Sequence, residues 1–493
     1  MGKICKSVLW LFVTFFAVSN IYAQHDVLAR VFSVTACPAE NCENSMNFSW
    51  ATDTTIKSVV LEIAPLTDKE WKKSVSYAFD GVLNTTFDGV HSKGPRGENF
   101  YESVGINKYN ATVDGLKKDT RYKYRIYPVV AEKSNFSAVG ASENYRGAKD
   151  KYYSTVRSFK TSGAKEWEAC IISDFHVYSP LYARTEAAMD MIGVVEDYAV
   201  KDGIRCKKTA ACGSLQADMA LDWILHLGDI TAWGGSYSFW KNLYKEQPFK
   251  KYMWAGVNGN HDNMTRGYDR TTNEFFRDAA AYPMNGYEGE MGVCYHFRYG
   301  DVLFIMLNNE GMKSDEGLAA AQEWVRKVVK ENPAPYTVVC EHYQWFYGES
   351  GKESQYSRWC ELFDELGVNL ALAGNNHIYV SSYPIYSGKP VANGADAASE
   401  EFSAGYGKKR LAGAGESGKG TVYIQTPSSD NERGVAIDAS KPLEQSADKI
   451  KFRWSEGGNT VGAMHMKVTP QKMTLTLLDR NGNVLDVTEV LPK

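Results

Sequence analysis

The chain is 493 residues long, with 44% hydrophobic residues, 23% charged residues and a formal net charge of -4. That length exceeds one ordinary core and suits two domains, within a balance typical of soluble globular proteins. The small net charge excludes a global attraction to nucleic acid or to an anionic membrane surface, so an anionic ligand must be drawn by something local.

Lys3 and Lys6 precede an apolar run from Val8 to Val18, and Ile21-Tyr22-Ala23 places a small residue before Gln24. This pattern predicts a secretory signal over residues 1–23; the alternative is a retained N-terminal anchor. The run is too short to span a bilayer comfortably. The mature chain is expected to be exported, periplasmic or secreted, without stable membrane insertion. Cys37 and Cys42 flank one short loop and Cys206 and Cys212 another, spacings compatible with local disulfides. Cys170 and Cys340 lie in apolar runs and read as buried thiols. The sequons at Asn47, Asn84, Asn110, Asn135 and Asn263 read as chance.

From about Ala29 to Phe159 the pattern is β-rich. Met46 to Trp50, Val59 to Ile63 and Tyr122 to Ile126 alternate, and turn-forming clusters separate them, which predicts a sandwich. The stretch Val113 to Tyr124 resembles the leucine, turn and tyrosine stretch of fibronectin type III domains, and Ser158 to Thr161 looks like an exit strand. After Ser162-Gly163 the pattern becomes α/β. Predicted strands are Ala169–Ile172, Trp223–Leu227, Tyr252–Val257, Val302–Leu307, Tyr336–Cys340 and Val368–Ala373. Helices are expected over Glu186–Val200, with Thr185 as N-cap, and over Ala319–Lys330. Strands return at Met464–Val468 and Met473–Leu478.

Polar residues recur directly after these strands. Asp174-Phe175-His176 follows the first and Gly228-Asp229 the second. Asn258-Gly259-Asn260-His261-Asp262 follows the third, Glu341-His342 the fifth, and Gly374-Asn375-Asn376-His377 the sixth. The carboxyl ends of strands in an open α/β sheet line one edge, where ligands bind. Five strand ends delivering Asp, Asn and His there form a metal-site pattern of hard oxygen and borderline nitrogen donors. Any one of them alone is more often a turn residue. His226, His296 and His465 lie inside strand patterns and read as structural; His25 and His91 read as loop residues.

This order of motifs resembles the calcineurin-like metallophosphoesterase superfamily. The β-rich domain in front, the stretch Cys294 to Ile305 and Gln322-Glu323-Trp324-Val325 are similar to its purple acid phosphatase branch. The resemblance implies a metallophosphoesterase sandwich of mixed sheets flanked by helices over residues 163–493, preceded by a fibronectin type III-like β-sandwich over 24–162. It implies hydrolysis of small phosphate mono- or diesters by a metal-activated hydroxide, with no nucleic-acid polymer as partner. The expected cofactors are two divalent or trivalent ions: iron, zinc or manganese. Asp174, His176 and His377 would hold one metal, Asp229 would bridge, and Asn260 and His342 would hold the other. His261 would contact phosphoryl oxygens or protonate the leaving group, and Trp233 and Tyr343 are candidates for the substrate wall, with Trp345, Phe346 and Tyr347 nearby. Arg266 and Arg270 read first as a solvated face.

Three positions depart from the purple acid phosphatase pattern. Ala232 stands where a metal-binding tyrosine is usual, with His176 expected to replace it. Asn375 stands where a second-metal histidine is usual, and Tyr379-Val380-Ser381 replaces Tyr-Glu-Arg. Two rival readings follow: a phosphodiesterase for a nucleotide or phospholipid headgroup, and a degenerate phosphoesterase that only binds.

Overall fold

The computed structural model describes residues 31–52, 54, 56, 58–80, 83–93, 99–128, 154–178, 183–201, 219–266, 270–346, 355–391, 410–411, 420–429, 449–454 and 461–493. The expected signal, His25, Asn135, Cys206, Cys212 and Tyr347 lie outside these residues.

Eight strands build the N-terminal part: β1 (Val31–Pro38), β2 (Met46–Thr52), β3 (Ser58–Pro65), β4 (Val75–Asp80), β5 (Leu83–Lys93), β6 (Asn99–Val113), β7 (Arg121–Pro128) and β8 (Arg157–Lys160). They form two antiparallel sheets, ordered β1-β2-β6-β5 and β4-β3-β7-β8. Aromatic rings lock the sheets together. Phe48 of β2 meets Tyr124 of β7 and Phe159 of β8 at centroid distances of 4.9 and 5.4 Å, and Trp50 meets Phe79 at 5.3 Å. Such edge-on contacts add to the area buried by each ring. His91 falls within β5, not in the expected loop, because the strand runs on through the Asp88-Gly89 pair.

The remainder forms two seven-stranded mixed sheets. The first contains β9 (Trp167–Ile172), β10 (Trp223–His226), β11 (Met253–Gly256), β19 (Arg410–Leu411), β22 (Gly462–Val468), β23 (Met473–Asp479) and β24 (Val484–Val490), in the order β11-β10-β9-β22-β23-β24-β19. The second contains β12 (Tyr295–Tyr299), β13 (Val302–Met306), β14 (Tyr336–Cys340), β15 (Leu370–Ala373), β16 (Tyr379–Ser382), β20 (Val422–Gln425) and β21 (Ile450–Trp454). Its order is β12-β13-β14-β15-β20-β16-β21. The hairpin of β17 (Ile385–Tyr386) and β18 (Lys389–Pro390) stands apart. Parallel runs β9-β10-β11 and β13-β14-β15-β20 are buried throughout, as near-continuous apolar strands covered on both faces should be.

Helix α1 (Ala183–Lys201) packs on β9 and β22 of the first sheet. Three short helices follow: α2 (Tyr237–Leu243), α3 (Gln247–Lys251) and α4 (Glu274–Ala279). Helices α5 (Asp315–Glu331) and α6 (Tyr356–Leu366) cover the outer face of the second sheet through Trp324, Val325, Trp359 and Phe363. Ser314 caps α5 by accepting from the Gly317 N–H, so this helix starts four residues before the predicted Ala319. Helix α1 begins at Ala183, which puts Thr185 inside the first turn and corrects its assignment as N-cap.

One hydrophobic core runs through the N-terminal sandwich and the first sheet, and includes the inner face of the second. Cys37 and Cys42 are separate buried free thiols, with Cys42 Sγ directed to the Ala39 carbonyl, so the expected local disulfide is not formed between them. Cys170 and Cys340 are buried in strands as expected.

Candidate active site

The ends of β9, β10 and β11 in the first sheet and of β14 and β15 in the second bring all five motifs together, so the site lies between the strand ends of two sheets and not along the edge of one. Asp174, His176, Asp229 and His342 are buried, and Asn260, His261, Asn375 and His377 are half-buried. Nine non-glycine residues among those described have positive φ, and five of them are Asp174, His176, Asp229, Asn375 and His377. Strained backbone of this kind clusters where function over-determines it. The glycines of the motifs are needed for close approach. Gly228 has φ +95, and a Cβ on it would lie 2.2 Å from His342 Nδ1.

Three groups of ligand atoms converge, each within 4.8 Å: Asp174 with His176 and His377, His176 with Asp229 and His261, and Asp174 with Asp229 and His342. His176 Nε2 lies 3.2 Å from Asp229 Oδ2, His342 Nε2 3.3 Å from Asp229 Oδ1, and His377 Nε2 3.5 Å from Asp174 Oδ1. Asp229 thus faces both sides of the cluster.

Backbone carbonyls orient the imidazoles. His176 Nδ1 donates to Asp174 O at 2.9 Å, His342 Nδ1 to Leu227 O at 2.8 Å and His261 Nδ1 to Ala232 O at 2.8 Å. A carbonyl only accepts, so each Nδ1 carries a proton, and each ring, when neutral, presents an Nε2 lone pair. Lone pairs aimed at carboxylate oxygens require a shared proton or a cation between them. Asn260 Oδ1 adds a buried oxygen with no hydrogen-bond partner. This donor set of carboxylate, amide oxygen and imidazole fits metal ions.

The electrostatics agree. Burial opposes ionisation of Asp229, but the His342 and His261 charges and hydrogen bonds from His176 and His342 hold its carboxyl well below the usual range. Burial likewise disfavours the His342 cation, yet the Asp229 and Asp174 carboxylates push its imidazole up to about 10.

Several residues to which the motif reading gave no role support the site. Asp262 Oδ1 accepts from Thr231 N and Oγ1, and its Oδ2 from Ile230 N and Gly259 N, at 2.9 to 3.2 Å; these bonds brace the turns of Asp229 and Asn260. Asn309 Oδ1 accepts from the His342 and Tyr343 N–H groups at 2.9 and 2.8 Å. Ser428 Oγ donates to Asp174 O at 2.8 Å, and Ser173 Oγ donates to Asp174 Oδ2. Asn309 and Ser428 both follow strands, β13 and β20, so the strand-end signal extended to them.

The other site candidates separate. Trp233 stacks on His261 at 5.2 Å and 25°. Tyr343 lies beside His342 and donates to Glu310 Oε1 at 2.6 Å. Asn375 N–H donates to Asp174 Oδ2 at 3.0 Å, while its Nδ2 donates to Gln344 Oε1. Trp345 and Phe346 are fully buried in the core under α6, so they pack and do not wall a pocket. Arg270 pairs with Glu274 and lies over Phe275. The guanidinium of Arg266 lies 5.9 Å from the Tyr178 ring centroid. His226, His296 and His465 are buried in strands.

Residues 169–379 match the family model of the calcineurin-like phosphoesterases. The chain therefore carries a calcineurin-like phosphoesterase domain, and the class this defines is a metal-dependent phosphoric ester hydrolase. The purple acid phosphatase PPD1 from yellow lupin (Lupinus luteus) seeds shares the fold, with a TM-score of 0.64 at 13% identity over 94% of this chain and 74% of that one. GAP50, described as the anchor in the inner membrane complex of Plasmodium, aligns at 13% identity and a TM-score of 0.41, covering 67% of this chain and 90% of its own. No curated protein matches the sequence.

Proposed function

We propose that this chain is an exported phosphoesterase that hydrolyses phosphate mono- or diesters of small molecules at a two-metal centre. Asp174, His176 and His377 bind on one side, Asn260 and His342 on the other, and Asp229 lies between. The observation that carries this reading is the convergence of carboxylate and imidazole donors within 4.8 Å, joined by the orphaned Asn260 oxygen. Asn375 contributes from the edge of the second side. Export rests on the sequence pattern of residues 1–23; among the described residues no helix is long and apolar enough to cross a membrane.

A bound metal pair supplies phosphoryl charge neutralisation and an acidified water. The chain supplies the rest. Asp174 and Asp229 offset cationic charge and fix its position. His261 keeps Nδ1 on Ala232 O, so Nε2 is the atom available to a phosphoryl oxygen or to the leaving group. Trp233 holds the ring from one face.

A panel of mono- and diesters, assayed with His261→Ala beside the wild type, tests this. The expected result is near-normal metal content with hydrolysis slowed roughly 10²-fold or more, most for poor leaving groups. His261 also shares a ligand-competent group with His176 and Asp229; loss of metal in the variant would make it a ligand and refute the proton-donor role.

A further inference from the structure

One residue by which the N-terminal sandwich meets helix α2 is strained. Ser33 has φ 52, in the left-handed region that serine rarely adopts. It sits in β1 between Phe32 and Thr35, where the register with β2 slips. Such bulges re-aim side chains and recur beside active sites. Here the buried Ser33 hydroxyl is turned to the Tyr237 hydroxyl at 2.7 Å. Phe32 meets the same tyrosine edge-on at 6.1 Å, and Ala51 and Ile106 of the sandwich close with Tyr237 and Phe275 into a small core.

Tyr237 opens α2, and the segment just before it grips His261. Ala232 O holds its Nδ1, Trp233 stacks on its ring, and the Gly234 N–H donates to its carbonyl at 2.9 Å. The Gly235 N–H donates to Met264 O at 3.1 Å, and Trp240 Nε1 of α2 ties back to Gly234 O at 2.8 Å. Space in this turn is minimal: a Cβ on Gly234 would lie 1.7 Å from Asp262 O. A shift of α2 must therefore be passed to the 232–236 segment, and from there to His261.

We propose that Ser33 and Tyr237 are positioning residues, forming an interdomain latch by which the N-terminal sandwich holds the 232–236 segment and the His261 ring in register. The backbone strain at Ser33 is what aims the hydroxyl, and strain of this kind persists where the surroundings over-determine it. The inference rests on the reading of His261 as the residue that acts on substrate, and it assigns the sandwich a part in catalysis beyond shielding.

Tyr237→Phe and Ser33→Ala remove the hydrogen bond and leave the ring, the helix and the sheet in place. The full metal-loaded chain, both single variants and the double variant are compared by amide hydrogen exchange and by kcat, KM and metal content. Each single variant is expected to lose about 3- to 10-fold in kcat, the scale of one hydrogen bond, with KM and metal content unchanged. The double variant should be no worse than either single, since one bond is shared. Exchange should quicken across residues 232–236 and 261–264. A lowered melting temperature with wild-type kcat and wild-type exchange in those segments would overturn the latch. A wild type that hydrolyses no ester would instead defeat the functional reading, leaving the exchange result to decide the latch alone.

Discussion

Gly228→Ala is a one-methyl perturbation aimed at the proposed metal centre. The new Cβ would lie 2.2, 2.5 and 2.9 Å from Nδ1, Cγ and Cβ of His342, where 3.4 Å begins ordinary contact. The conflict reaches the root of the side chain, so a rotation about its end does not relieve it. The His342 backbone is held by Asn309 Oδ1 and its ring by Leu227 O, so the imidazole must retreat by about 1 Å against both bonds. Misplacement on that scale costs on the order of 10²-fold in rate. Alanine at φ +95 adds backbone strain of roughly 1–3 kcal/mol. The assay is metal stoichiometry on purified protein, hydrolysis of a chromogenic ester and far-ultraviolet circular dichroism. We expect a folded protein that loses the metal held by His342 and at least about 10²-fold in kcat. Full metal content with activity within a few-fold of wild type would refute the packing of Gly228 against a ligand.

Two further predictions concern sites of different character. An amide oxygen is a weaker donor than imidazole for zinc or iron, so activity of protein purified without added metal should rise on titration with manganese, and Asn375→His should shift that titration to lower concentration; superimposable curves would remove Asn375 from the second site. Lys108 of β6 is buried with its Nζ on Ser49 Oγ, and burial, partly countered by Asp278 and Cys37, pushes its pKa from 10.5 down to about 8. The unfolded chain then binds more protons between those two values, so stability should rise with pH across that window by about 3 kcal/mol. Urea unfolding from pH 7.5 to 10.5 checks this: Lys108→Met should flatten the rise, and an unchanged slope would contradict the assignment.

The strand ends were the legible part of the site. Parallel β-strands buried on both faces must be apolar, so Asp174, Asp229, His342 and His377 stand out where the apolar runs stop. Histidines inside the runs, such as His226, were separable from the candidate ligands on the same ground, and His226 is buried in β10. Support from distant segments was less legible. Ser428 lies 254 residues from Asp174 and carries no metal-type side chain; only the pairing of β15 with β20 brings it there. The Ser33 bulge was hidden for a related reason, since nothing in Phe32-Ser33-Val34 marks a left-handed φ, which comes from tertiary packing against α2. The start of α1 was misplaced because Thr185 is a good cap residue in isolation, and the chain enters the helix earlier than that propensity suggests. The domain division by composition placed the boundary near Ser162, yet it could not show that a single core crosses it.

Asp229 is the residue on which the account depends, because it faces His176 on one side and His342 on the other. One carboxylate there opposes the mutual repulsion of two cations, and its removal leaves that repulsion far less screened. The decisive measurement is metal content and ester hydrolysis of Asp229→Ala beside the wild type, with circular dichroism to confirm the fold. The account predicts a folded variant that holds neither metal and has no detectable hydrolysis; a variant that keeps activity within a few-fold of wild type would contradict it.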